Sequence, residues 1–117
     1  MIGASDDPEK YSYQAVQLLK EKGHRVYPVH PTLREIEGTK VYPSIAEVPG
    51  RVDTISLYVS KEISSNLSDA LIKKSPQRII FNPGAENQDL EAKAALKGIK
   101  TLNACTLVML RTNQFEK

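Results

Sequence analysis

Gly3-Ala4-Ser5 follows the apolar pair Met1-Ile2 and precedes Asp7-Pro8. A stub of strand, a turn of small residues and a helix start gather free backbone N–H groups and the positive end of a helix dipole around an anion. Pro8 suits a first helical position, where its missing N–H costs nothing, and Asp7 can cap the helix before it. This turn is expected to hold a phosphate-bearing ligand, with Lys10 and Tyr11 within reach from the first helical turn. Further along, Arg34 stands on a polar loop, where a guanidinium fork can pair with a phosphomonoester. Asn82-Pro83-Gly84, all turn formers, can supply a pocket wall.

Other chemistry is poorly supplied. Cys105 is the single cysteine, so no intrachain disulfide forms, and its place before an apolar run suits a small hydrophobe. His24 and His30 lack neighbouring carboxylates, so no metal site is expected. Asp6 and Asp7 resemble an acid–base pair, but capping already accounts for Asp7. No catalytic residue is expected.

The nucleotide motifs narrow the ligand. A dinucleotide fingerprint needs G-x-G-x-x-G, whereas only Gly3 is present and Asp6 would repel a close pyrophosphate. A nicotinamide fold also wants an acid at the end of its second strand to hold the ribose diol, where this chain has Val29-His30-Pro31. The G-x-x-x-x-G-K-[ST] phosphate loop is absent. A ligand with a pyrophosphate near Ser5 and a phosphate near Arg34 suits the spacing, and coenzyme A, free or acylated, carries both. The alternative is an oxidoreductase whose NADP 2′-phosphate meets Arg34, or a non-catalytic subunit docking a partner through a helix at Cys105–Leu110.

These residues need a scaffold, and apolar periodicity describes one. Ala15, Val16, Leu18 and Leu19 give a helical face ending at Gly23. His24 to Pro31 reads as a short strand, strained by Pro28. Thr32 to Lys40 reads as loop, and Ser44-x-x-Glu47 as a capping box. Val52 to Val59 is a buried strand, and Ser60 caps a helix carrying Ile63, Leu67, Ala70 and Leu71. Arg78 to Phe81 and Ile99 to Leu102 are further strands around a helix at Asp89–Lys97, and Arg111 to Lys117 is a tail. Short apolar strands alternating with helices predict one α/β domain over residues 1–117. It is a Rossmann-like doubly wound sheet of about five mainly parallel strands, with helices on both faces. Ligands then bind outside the carboxyl ends of the strands, beside Gly3–Ser5, His30–Arg34, Tyr58–Ser60 and Asn82–Gly84.

Composition adds little. The chain has 117 residues, sixteen basic and fourteen acidic, for a net charge of +2. That balance gives no argument for nucleic acid or a membrane surface, and no apolar run approaches the roughly 20 residues that span a bilayer. A cytoplasmic location is the expectation.

Several motifs in order carry a family resemblance: Gly3-Ala4-Ser5-x-x-Pro8, Gly23-His24-x-Val26-x-Pro28-Val29-His30-Pro31, Ile36-x-Gly38, Val52-Asp53-Thr54, Phe81-Asn82-Pro83-Gly84-x-Glu86-Asn87 and Ala104-Cys105-Thr106-Leu107-Val108. Together they resemble the stand-alone CoA-binding domain proteins, which are similar to the N-terminal domain of the succinyl-CoA synthetase α subunit. The resemblance implies a five-stranded parallel sheet, with Gly3, Ala4 and Ser5 meeting the pyrophosphate or pantetheine. It also implies that the loop after the second strand meets the nucleotide end, and that Pro83-Gly84 lines the pantetheine path. A homodimer or a partner enzyme subunit is compatible with it. The family usually has Asn-Pro, often followed by Lys, where this chain has His30-Pro31-Thr32. The synthetase's phosphohistidine belongs to a second domain that these 117 residues do not contain.

Overall fold

The computed structural model of the chain describes residues 1–116. Three regular strands form a parallel sheet: β3 (Thr54–Leu57), β4 (Arg78–Phe81) and β5 (Lys100–Asn103), with Ile55 opposite Ile79 and Ile79 opposite Thr101. Beyond β3 the sheet continues by single parallel bridges, Leu57 to Ile2, Ile2 to Val29 and Val29 to Tyr42. Across the sheet the order is therefore Tyr42, Val29, Ile2, β3, β4, β5. The chain moves outward from Ile2 to Tyr42, then returns to the other side of Ile2 at β3. Strand order thus reverses between Ile2 and β3.

The expected five strands are three strands and three bridges. The segment from His24 to Pro31 shrinks to Val29 because Pro28 has no N–H to give and Pro31 ends the run. Two features of the expected loop at Thr32–Lys40 are regular: β1 (Glu35–Ile36) and β2 (Thr39–Lys40) pair as an antiparallel hairpin. Glu37 and Gly38 turn it with φ of 47° and 79°, the left-handed pair that matches strand twist.

The first helix, α1 (Tyr11–Glu21), begins three residues later than Asp7-Pro8 suggests. Ser5 Oγ accepts the Asp7 N–H at 3.0 Å, Asp7 Oδ1 accepts the Glu9 N–H at 3.0 Å, and the Lys10 N–H bonds the Asp7 carbonyl. Short polar side chains here bond their own backbone and hold a turn in place of the helix. Ser44 likewise precedes a 3-10 turn at Ile45–Glu47 without a side-chain cap bond. Ser60 and Asn87 do cap α2 (Lys61–Lys73) and α3 (Gln88–Leu96), accepting from Ile63 N and Leu90 N. The last helix is α4 (Thr106–Arg111); of the expected tail, Lys117 lies outside the described residues.

Helices cover both faces, as the alternating pattern predicts. On one face Leu71 of α2 and Leu90 and Ala94 of α3 pack on Ile55, Leu57, Ile79 and Phe81. On the other, Ala15, Val16 and Leu19 of α1 join Leu107 and Leu110 of α4. Each fully buried aliphatic side chain of this kind contributes about 1.5–3 kcal/mol. One polar network crosses this core. Asn82, 1% exposed, donates from Nδ2 to Ser56 Oγ at 2.9 Å and to the Leu57 carbonyl at 2.8 Å. Its Oδ1 accepts the Thr106 N–H at 2.8 Å, and the Ser56 and Thr106 hydroxyls share a 2.8 Å bond. Asn82 thus joins β3, β4 and the start of α4.

Two substitutions test this frame. A Cβ on Gly3 would lie 2.9 Å from Val59 Cγ1 and 3.1 Å from the Tyr58 carbonyl carbon, at φ +87°. Gly3→Ala is expected to cost about 1–3 kcal/mol in urea unfolding. Gly84→Ala should cost less, since its added Cβ meets nothing within 4 Å and only its φ of +92° is strained. Asn82→Ala strands the Thr106 N–H and removes the side-chain bonds to Ser56 Oγ and the Leu57 carbonyl, which keeps only the backbone N–H of residue 82, and should cost about 2–4 kcal/mol in the same measurement.

Candidate functional site

The reversal point opens into a groove of about 630 Å³. Its floor is the chain leaving the first bridge, Ile2 to Ser5. One side is the first turn of α1, with Lys10, Tyr11 and Ser12. A second side is Val29-His30-Pro31 with Pro43, Ser44 and Ile45. The third is Tyr58-Val59 with Ile63 and Leu67 of α2.

Backbone pairing sets the floor. Ile2 donates to the Ser56 carbonyl at 2.8 Å and accepts from Tyr58 N at 2.9 Å, while Val29 N donates to the Met1 carbonyl at 2.8 Å. Gly3 N and Ala4 N both turn onto the Val29 carbonyl, at 3.2 Å. The loop then lifts away through the Ser5–Asp7 turn and delivers Lys10 as the residue preceding α1. Lys10 is extended, no side chain caps the helix, and its first turn contains no acid. The opening N–H groups of α1 are therefore left for a ligand or solvent, beside a lysine ammonium. Asp6, expected to crowd a pyrophosphate, is exposed and lies outside the groove wall.

The opposite half is apolar. Ile45 and Val59 line it, and Tyr11 and Ile63 stand at its rim with 68% and 50% of their surface exposed. Neither large side chain has found cover within the chain. Tyr58 runs under the groove into the α1–α4 core, where its hydroxyl is buried without a partner among the described residues. Burial, with a smaller contribution from nearby Cys105, pushes its phenol up to about 12. The neighbouring Ser56 and Thr106 hydroxyls are committed to each other and offset little of that rise.

Of the residues singled out in the sequence, Gly3, Ala4, Ser5, Lys10 and Tyr11 come together in this groove. Arg34 is exposed on the loop before β1, outside the groove wall, with its carbonyl accepting from Val41 N at 2.9 Å. Asn82 is buried in its network one strand further along the same sheet edge. Pro83 and Gly84 are exposed beside it, with Gly84 N donating to Glu86 Oε1 at 2.9 Å. Sequence reasoning placed Tyr58–Ser60 among the turns at the ligand edge but did not single out Pro43, Ser44, Ile63 or Leu67. They reach the groove from two separate stretches of chain, and the reversal of strand order brings these beside Gly3–Ser5. Among the described residues, no group of three or more His, Cys, Asp or Glu is placed to hold a metal ion. No helix among the described residues is long and apolar enough to cross a membrane.

Known proteins share this fold. A family model described as a CoA binding domain matches residues 1–111. The α subunit of acetate–CoA ligase (ADP-forming) II from Pyrococcus furiosus is 44% identical over 63 residues, which are 53% of this chain and 14% of that subunit. The chain therefore spans only a small part of this ligase subunit. A crystal structure of an uncharacterized protein superposes with a TM-score of 0.90 at 34% identity, covering 97% of this chain and 93% of that one. Acetyl-coenzyme A synthetase 1 of Ca. Korarchaeum cryptofilum, in complex with phosphate and ADP, matches at a TM-score of 0.75 and 28% identity. That match covers 88% of this chain and 24% of the synthetase. With the family model spanning nearly the whole sequence and a Rossmann-like α/β sheet beneath it, the chain belongs to the CoA-binding domain family and is homologous to the CoA-binding part of ADP-forming acetate–CoA ligases.

Proposed function

We propose that this protein binds coenzyme A or acyl-CoA in the groove at the reversal point and carries no catalytic centre of its own. The observation that carries the reading is the uncapped start of α1, with Lys10, opening into a groove whose other side is apolar. Coenzyme A has the matching polarity along its length. Its pyrophosphate suits the backbone N–H groups near Ser5 and α1 and the Lys10 ammonium. The pantetheine arm suits the side formed by Val59, Ile63 and Leu67, with Tyr11 over it. Asn82-Pro83-Gly84 extends the same sheet edge, and Arg34 can approach the nucleotide end from its loop.

In this reading the protein is a carrier, a sensor or a subunit working with a partner enzyme in the cytoplasm. The ligases among its relatives combine such a region with much more chain, and their activity is not carried over to these residues.

Calorimetric titration with CoA tests the reading. A saturable single-site isotherm is expected, with a rise in melting temperature under excess ligand. At a hundredfold excess over Kd the gain is about 2.7 kcal/mol, on the order of 10 °C for a domain of this size. NADPH should compete poorly, because the first turn has only Gly3 of the G-x-G-x-x-G fingerprint that seats a dinucleotide pyrophosphate. No heat and no thermal shift at millimolar CoA would refute it, and stronger binding of NADPH would favour an oxidoreductase.

A further inference from the structure

His30 stands at the end of the second strand, on the groove wall. In dinucleotide folds this place belongs to a carboxylate, which accepts hydrogen bonds from a ribose diol. The imidazole here has been given the opposite character by its own loop. Nδ1 accepts the Thr32 N–H at 3.1 Å and the Leu33 N–H at 3.1 Å, with the Thr32 hydroxyl 3.3 Å away. Two backbone donors converging on one ring nitrogen require that nitrogen to be the unprotonated one, so the ring proton sits on Nε2. Nε2 has no acceptor among the described residues, and the side chain is half-buried, neither sealed into the core nor free in solvent. The groove therefore presents a fixed N–H donor where a diol-binding fold presents an acceptor.

We propose that His30 Nε2–H donates to a phosphate on the ligand's ribose, the 3′-phosphate of CoA, and so selects the phosphorylated ribose over a free diol. The assignment rests on the CoA reading and deepens it. A phosphate dianion is all acceptor and matches the donor, and a diol would lose the carboxylate that normally holds it. His30 has a second duty that the same bonds reveal: Nδ1 folds the 30–34 loop in the manner of an Asn side-chain turn. That loop carries Arg34, so the residue that meets the phosphate also sets where the nearby guanidinium starts.

The two duties separate by substitution. His30→Asn retains a side-chain acceptor for the loop N–H groups but has no donor at the Nε2 position. His30→Ala removes both. For His30→Asn, an unchanged melting temperature and circular dichroism are expected, with CoA binding weakened about tenfold, the range of a single hydrogen bond to a charged group. Binding of dephospho-CoA should stay within about twofold of wild type, since it lacks the 3′-phosphate. In wild-type protein with ¹⁵N-labelled histidine, the Nε2 resonance should move on CoA saturation while Nδ1 keeps its unprotonated shift. Unchanged CoA affinity in His30→Asn, or equal losses for CoA and dephospho-CoA, overturns the assignment and leaves the CoA reading standing. Failure of wild-type protein to bind either nucleotide overturns both.

Discussion

Ile2 is bonded on both sides, to Ser56 and Tyr58 of one neighbour and, through Met1 and Gly3, to Val29 of the other. One residue thus holds together the two halves of a sheet whose regular strands lie all to one side of it. The next residue must then leave the sheet beside Tyr58 and Val59 with no room for a Cβ, and that is why it is glycine. Everything in the groove follows from this exit. It directs the chain over the sheet edge, fixes where the Ser5–Asp7 turn lifts away, and sets where α1 begins. The close packing of Gly3 serves the protein's own backbone, and the ligand-facing groups are those the exit delivers next.

What the sequence displayed and what it concealed divide along the same physical line. Local chemistry was legible: the small-residue turn, the amphipathic face of α1, the cap at Ser60, and the alternation of apolar strands with helices. The α/β class, the helices on both faces and the groove's floor followed from these. Competition between local and longer-range bonds was not legible. Ser5 and Asp7 bond their own backbone, which postpones the helix to Tyr11, and Pro28 cuts a strand down to one bridge. Asn82 read as a turn residue, yet it is locked in the core. Ser56, a hydroxyl between Ile55 and Leu57 in a buried strand, was the available clue that a polar partner had to exist.

The groove itself joins these two levels. Its charged half was visible, because Lys10 and the small-residue turn are neighbours in sequence. Its apolar half was visible only in part: Tyr58–Ser60 stood among the expected edge turns, but Ile45 joins Val59, Ile63 and Leu67 only through the fold. The exposed residues Tyr11 and Ile63 both line the groove, at the start of the first helix and the first turn of the second. An elongated ligand, anionic at one end and apolar along its middle, satisfies both halves at once. A compact anion would leave the apolar side wet, and a purely apolar ligand would leave the start of α1 without an acceptor.

The location of binding is the central claim, and an amide chemical-shift map of the ¹⁵N-labelled protein titrated with CoA tests it most directly. Gly3, Ala4, Ser5, Tyr11, Ser12, His30 and Val59 should shift with a common saturation curve. Arg25, Asp53 and Phe115, at the opposite edge of the sheet, should not. Shifts concentrated at that opposite edge, or scattered without saturation, would contradict the account.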